Sequence, residues 1–403
     1  MKRDGTAADI VIVGAGPVGL TLACALARRD RPTVVCQKAP LDHDRRGLTL
    51  TIASRSILTR LGVWSLIDVD RVAAIRRMRV CYADDAIVFD SAELGIDALG
   101  YVVEYHELMH ALTQRVLDHG DLIRRVTGEA IEWTASSHSG VLRLADGTLI
   151  EGALAVASEG AQSLLRGQTG IGLKGRVYGE AAITTIVRTS LPHAGEAWQR
   201  FLADGPVALL PLSHPLERSL IWSVASGRAR ELCAQSDDEF ARTLRSITGD
   251  EFGEITTSIP RHTYPLARGQ AKSYIAARLA LAGDAAHRVH PLAGQGVNLG
   301  LADAAAFADI VTDANTRGLD PGSRAVLRRY ERWRVSANAP MIAAIDFFHD
   351  VFPRPGRILD RARVASLRLF DALTPLKREV MRHASGIKGD LPSLARPTST
   401  LDG

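Results

Sequence analysis

Apolar residues follow three different rhythms along this chain. ADIVIV and PTVVC are short β-branched runs of strand length, and GAGPVGLTLACALARR between them carries a glycine turn followed by apolar positions at helical spacing. The opening therefore predicts a strand, a helix and a second strand. In HELMHALTQRVLDH the residues Leu108, Leu112 and Val116 recur at helical intervals, so a helix with one core-facing stripe should follow the strand ending VVE. Residues 176–268 change to alternating runs such as VALLPL and SLIWSV, read as an antiparallel sheet. RLALAG then returns to a buried strand, a loop with Pro291, Gly294 and Gly296 follows, and a helix begins near Val297. From residue 345 onward the pattern is helical and basic.

The glycine turn carries the first chemistry. Gly14 permits a tight turn, Gly16 lets backbone approach a pyrophosphate, and Gly19 lets the helix pack closely on the strand. Exposed N–H groups at the helix start then face the phosphates. Candidate dinucleotide-binding residues are thus Gly14, Gly16, Pro17, Val18 and Gly19, joined by Gln37 and Lys38 at the end of the second strand. That strand end usually offers Asp or Glu to ribose hydroxyls; Gln37, 23 residues after Gly14, offers an uncharged amide oxygen instead. A weaker grip on the dinucleotide follows, by roughly 1 kcal/mol. GIGLKG at 170–175 also fits GxGxxG, but no strand precedes it and β-rich sequence follows it, so it reads as a loop entering a sheet.

Composition removes several function classes. The 403 residues are 46% apolar and 23% charged, a globular balance with room for a large core. With 49 basic and 45 acidic residues there is no concentrated basic stripe, so nucleic acid is not an expected partner. Cys24, Cys36, Cys81 and Cys233 lack CxxC spacing and read as buried thiols of a reducing compartment. Lys2 and Arg3 before an apolar run imitate a secretory signal, yet Asp4, Asp9 and the glycines interrupt it. A cytoplasmic protein is expected, with no spanning helix.

HELMH raises a zinc question. His106 and His110 would share a helix face with Glu107 as a general base, and Glu129 stands where a third ligand would be sought. Glu129 lies in strand-like sequence, however, whereas such a ligand is expected on a second helix. His287 and His290 near Asp284 imitate a second cluster within a loop. No metal is expected at either place.

The most informative stretch is RLALAGDAAHRVHPLAGQGVNLGLADAAAFADIV, residues 278–311. Asp284 ends a buried strand, where a carboxylate can accept from a polyol hydroxyl. The following helix start offers unpaired N–H groups and partial positive charge. GDAAH followed by HPLAGQGVNLGLAD resembles the single-component FAD-dependent aromatic hydroxylases, closest to the ubiquinone-biosynthesis hydroxylases with their para-hydroxybenzoate-hydroxylase-like fold. Supporting matches are Arg46 with LGVW fifteen residues later, AWQRFLADGPVALLPL, LRRYERWR, and ASEGAQSLLR, where Glu159 replaces the family's usual Asp.

The resemblance implies an α/β fold: a Rossmann-like FAD-binding domain assembled from residues 1–75, 100–175 and 270–340, an interleaved antiparallel-sheet substrate domain from 76–99 and 176–269, and a helical C-terminal segment, 341–403. It implies FAD as cofactor, NADPH or NADH as co-substrate, molecular oxygen, and a small aromatic or prenylated quinol substrate. Arg46 and His106 would contact FAD, Glu159 would lie near the pyrophosphate and nicotinamide routes, and Asp284 would bind the ribityl chain. Pro291, Gly296, Val297 and Asn298 would line the isoalloxazine, with Pro291, Gly294, Gln295 and Gly296 as the catalytic positions. Reduced flavin would pass one atom of oxygen to an electron-rich ring, with no nucleophilic side chain needed.

Some readings stay open. Asp284 also fits a turn cap, Glu159 a solvated loop acid, and PVALLPL with Trp222 either a greasy ring pocket or a sheet core. Residues 353–388 carry nine Lys or Arg against three acids, with Phe352, Leu359, Leu367, Leu369 and Leu373 among or beside them. They fit a solvated helix pair or a peripheral contact with the inner membrane face or a biosynthetic complex. A tailoring hydroxylase for another aromatic or quinolone metabolite, and a non-catalytic flavoprotein-like scaffold, are the alternative functions.

Overall fold

The computed structural model describes residues 8–38, 45–257, 259–290, 294–351 and 368–396, the side chains of 176–178 and 348–351 excepted. Five strands run parallel in the order Leu279–Leu281, Leu149–Ala157, Ala8–Val13, Thr33–Gln37 and Ile123–Thr127. A parallel sheet is covered on both faces, and these strands are accordingly near-continuous apolar runs: Ile10, Val11, Ile12, Val35, Leu154 through Ala157 and Leu279 through Leu281 are fully enclosed. The helix Pro17–Ala27 is buried at every position from Gly19 onward and packs against the helices Tyr105–Asp118 and Gln295–Thr316. Each enclosed Leu or Val side chain contributes about 1.5–3 kcal/mol of transfer free energy.

A nine-stranded sheet lies beside this layer. Residues His287–Arg288, His262–Ala271, Leu173–Thr189, Glu217–Ala225, Gly205–Pro211, Glu196–Leu202, Arg77–Tyr82 and Asp85–Asp90 follow one another across it, with Ile255–Thr256 off the path. Only the Glu196–Leu202 and Arg77–Tyr82 pair is parallel; the rest are antiparallel. GIGLKG enters this sheet, since Leu173 begins its longest strand. One sheet face is closed by the helix Asp237–Thr248, which Ser236 and Glu239 cap reciprocally and which buries Phe240 and Leu244. Trp222 meets Phe240 at 6.1 Å and Trp198 meets Phe252 edge-on at 5.4 Å. Val207, Leu209 and Trp222 therefore belong to a closed core and not to a substrate pocket.

A small antiparallel sheet, Gly47–Leu50, Gly100–Glu104 and Val72–Ile75, joins the two layers. The Gly47 N–H donates to Ser219 Oγ at 3.1 Å, tying it to the larger sheet. The long helix Arg324–Val351, with Pro340 inside it, packs on Gln295–Thr316. Of the basic C-terminal segment, residues 368–396 are described, including the helix Thr374–Ala384; Phe352, Leu359 and Leu367 lie outside the described residues.

Candidate functional site

The carboxyl ends of the five parallel strands deliver the candidate residues to one edge. Val13 leads to Gly14, Ala157 to Ser158 and Glu159, Gln37 to Lys38, Thr127 to Glu129, and Leu281 to Gly283 and Asp284. Ligands of open α/β sheets bind at this edge.

Each glycine of the first turn behaves differently. A Cβ on Gly14, at φ +107°, would meet the Ser158 carbonyl oxygen at 2.5 Å, and one on Gly19 would lie 1.9 Å from the Gly14 carbonyl oxygen. Around Gly16 there is open space, with nothing within 4 Å of that position. Two glycines thus close the turn against the protein and the middle one leaves it open to a ligand. Pro17 occupies the first helical position, where a missing N–H costs nothing. Ser158 Oγ donates toward Val13 O at 3.0 Å and Gly14 O at 2.9 Å, securing the turn from the neighbouring strand.

The middle motif reaches the later one. Ser163 caps the helix Leu164–Gln168, and buried Arg166 donates to Ala285 O at 3.0 Å and Ala161 O at 2.7 Å. Glu159 Oε1 accepts from Leu165 N at 3.0 Å. Burial pushes the Glu159 carboxyl up, opposed by the Leu165, Ser163 and Leu164 hydrogen bonds and by Arg166. This acid is a half-buried acceptor for the start of that helix, beside the glycine turn, not a fully solvated one.

Asp284 is exposed to water, while its neighbours Gly283, Ala285 and Ala286 are buried. Desolvation by the surrounding protein nonetheless pushes its carboxyl above the ordinary range, with His287, Arg288 and Arg46 drawing it back. A Cβ on Gly296 would make ordinary contact with Asp284 Oδ1 at 3.9 Å and with Val289 at 3.7 Å, so the helix start lies beside the carboxylate. Gly294 takes φ +60° directly beneath Thr49, and Gln295 is buried. Val297 packs against the main core. Pro291 lies outside the described residues.

Asn298 spends its side chain on the protein. Its Oδ1 accepts from Thr51 N at 2.9 Å and Ser54 Oγ at 2.7 Å, while its Nδ2 donates to Thr49 O at 2.9 Å and Gly294 O at 3.0 Å. What Asn298 leaves for a ligand is backbone. The side chain itself locks the helix start to the strand bearing Thr49.

Arg46 stacks between two rings, 4.9 Å from Tyr105 and 5.0 Å from Tyr264, bridging the small sheet and the larger one. The Tyr105 N–H donates to Arg46 O at 2.9 Å, placing His106 next to it. Nearby, Arg45 grips buried Glu104 through two hydrogen bonds of 2.8 and 3.2 Å. His106 Nδ1 lies 3.7 Å from Glu104 and Nε2 lies 3.3 Å from Glu107. His110 points to solvent and Glu129 pairs with Lys38 at 2.5 Å, so HELMH and Glu129 do not converge. Among the described residues no group of three metal-ligating side chains comes together.

These residues fit a flavin dinucleotide. Thr49 Oγ1 and His106 Nδ1 are buried with no hydrogen-bond partner among the described residues, which is costly unless a ligand completes them. The open position at Gly16, the exposed carboxylate of Asp284 and the helix start at Gln295 add a phosphate cradle, a polyol acceptor and a partial positive charge. Sequence reasoning did not single out Thr49, Tyr105, Ser158 or Tyr264, nor the buried acid Asp303 described below. Arg166 it noted only as a motif match.

Comparison with known proteins agrees. The FAD binding domain family matches residues 7–341. The chain is 34% identical to 3-demethoxyubiquinol 3-hydroxylase of Escherichia coli (strain K12), covering 94% of this chain and 98% of that protein. It is also 34% identical to ubiquinone hydroxylase UbiL of Rhodospirillum rubrum, covering 94% and 90%. Among solved structures, p-nitrophenol 4-monooxygenase PnpA from Pseudomonas putida DLL-E4 superimposes with a TM-score of 0.77 at 18% identity, covering 96% of this chain and 100% of that one. PqsL of Pseudomonas aeruginosa gives a TM-score of 0.76 at 21% identity, covering 90% and 100%. The chain therefore belongs to the FAD-dependent monooxygenases, within the ubiquinone-biosynthesis hydroxylase family.

Proposed function

We propose that this protein hydroxylates the ring of a prenylated phenol or quinol on the route to ubiquinone, drawing electrons from NADH or NADPH and oxygen from O2. The observation that carries the reading is the near full-length match to 3-demethoxyubiquinol 3-hydroxylase, combined with an exposed Asp284 whose neighbour Gly283 packs against Val18 of the glycine-turn helix. Bound FAD supplies the redox and oxygen-activating chemistry.

The chain's own groups bind and orient. The N–H groups of Gly16, Val18 and Gly19 at the helix start would hold the pyrophosphate. Asp284 accepts from the polyol hydroxyls, with Thr49 and His106 as further polar partners and Arg46 braced by its two tyrosines. The backbone from Gly294 to Asn298 presents N–H groups where negative charge gathers on the ring system, and the Asn298 side chain holds that backbone still. The layer beneath these residues is closed apolar core, which keeps water from that side. No side chain needs to act as a nucleophile.

A membrane contact extends the proposal. Leu373, Leu376 and Val380 stand 44%, 48% and 42% exposed on one side of the last long helix. The adjoining side docks through Met381 and through Lys377, which reaches Glu93 and Asp371, both at 2.9 Å. Among the described residues no helix is long and apolar enough to cross a membrane. An apolar stripe in a basic segment suits the surface of an anionic bilayer, where a prenylated substrate resides.

The test is turnover: purified protein, NADH or NADPH, oxygen and 3-demethoxyubiquinol. Hydroxylated product formed with reductant consumption supports the proposal. A yellow protein that oxidises a different aromatic ring points to a tailoring hydroxylase, and one that binds no flavin points to a scaffold, the outcome that Gln37 and Glu159 would favour.

A further inference from the structure

The segment LRRYERWR, residues 327–334, has no role in the chemistry above, yet it braces the elements around the cofactor turn at several points. Tyr330 Oη donates to Leu281 O at 2.8 Å, on the strand that ends at that turn. Glu331 Oε1 accepts from Tyr274 N at 2.8 Å and Ser273 Oγ at 2.6 Å. Arg334 Nε donates to Asp303 Oδ1 at 2.7 Å, and its Nη2 donates to Asn338 Oδ1 at 2.6 Å. Asn338 Nδ2 completes that side at 3.3 Å from Asp303 Oδ1.

The other oxygen of Asp303 works on the turn itself. Oδ2 accepts from Gly283 N at 3.0 Å and lies 2.5 Å from His287 Nε2. One carboxylate thus holds the residue before Asp284 and a residue three places after it. Gly283 sits at φ +61°, and a Cβ there would come within 3.0 Å of Val18, so the turn has little freedom to adopt another shape.

Asp303 and His287 are wholly enclosed and Arg334 is 3% exposed. Burial alone would raise the Asp303 carboxyl, but the His287 and Arg334 charges and hydrogen bonds overcome it and hold it at about 2. A buried ionic cluster is weak evidence for stability, because well-packed apolar residues often serve as well. What an apolar replacement cannot do is accept from Gly283 and His287 at once.

We propose that Asp303 is the positioning residue of the cofactor turn: by holding Gly283 and His287 together it fixes where Asp284 presents its carboxylate to the FAD hydroxyls. Arg334 and Asn338 keep Asp303 in place, which gives LRRYERWR its function as a buttress from the following helix.

A double-mutant cycle tests this. FAD is titrated back into the full-length chain after removal, its dissociation constant is followed by flavin fluorescence, and thermal melts record folding. Asp303→Asn should weaken FAD about 10- to 100-fold, as expected for losing charge-assisted bonds, and Asp284→Asn should weaken it comparably. The double variant should be no more than about threefold weaker than the worse single one, since Asp303 acts through Asp284. Effects that multiply, or an Asp303→Asn chain that melts earlier with an unchanged FAD dissociation constant, overturn the assignment. Should Asp303→Asn fail to fold, His287→Gln, which releases one end of the turn only, enters the same cycle with the same two outcomes.

Discussion

Val18 occupies the space that a side chain on Gly300 would need: a Cβ there would lie 2.5 Å from Val18 Cγ2 and 3.2 Å from Gly283 Cα. The helix of the glycine turn and the helix after the Asp284 loop therefore approach closely at Val18. Gly300→Ala should destabilise the protein by about 1–3 kcal/mol, the usual range for overpacking. Adding Val18→Ala should restore part of that loss. Urea unfolding of the two single variants and the double measures it; additive losses would contradict the contact.

Gln37 ends its strand beside the turn, where a carboxylate would accept from ribose with charge assistance. Gln37→Glu should tighten FAD binding about fivefold, equivalent to roughly 1 kcal/mol. Equilibrium titration of the two proteins at one ionic strength checks this, and equal dissociation constants would remove the role assigned to Gln37.

Asp303 gives an acid signature of known sign. Its carboxyl is held at about 2, below the ordinary 3.8, so its contribution to stability is fully present above about pH 4 and disappears as pH falls toward 2. Asp284 and Glu159 are shifted the other way, but they do so equally in wild type and in Asp303→Asn. The stability difference between these two proteins should therefore shrink by roughly 2 kcal/mol from pH 5 to pH 2.5. Denaturant unfolding across that window reads it, and a pH-independent difference would show that Asp303 is not ionised in the fold.

The legible parts of the molecule are those whose chemistry is local. Gly14, Gly16 and Gly19 announce their roles because turn, ligand approach and helix packing act within six residues. Asp284 is readable because strand, turn and helix follow in order. The buttress was not, since Asp303 and Arg334 are separated by 31 residues and meet only when two helices pack. Its signal was present all the same: an acid inside the otherwise apolar helix sequence LGLADAAAF must be paired or exposed. Trp222 stayed ambiguous because an alternating strand looks identical whether its apolar face meets a substrate or the helix bearing Phe240. His106 and Glu129 imitated a metal site because spacing carries no information about Lys38, which takes Glu129.

The exposed stripe on the C-terminal helix predicts a lipid-dependent behaviour. Leu376→Glu with Val380→Glu should abolish flotation with anionic vesicles while leaving the thermal melt unchanged, because both side chains already face water. Equal flotation of variant and wild type would exclude this face as the contact.

The most direct measurement is a crystal structure of the full-length protein with FAD. The pyrophosphate should lie within hydrogen-bond reach of the Gly16, Val18 and Gly19 amides, the ribityl hydroxyls on Asp284, and the ring against the backbone beginning at Gly294. A dinucleotide found away from either the glycine turn or Asp284 would contradict the account at its centre.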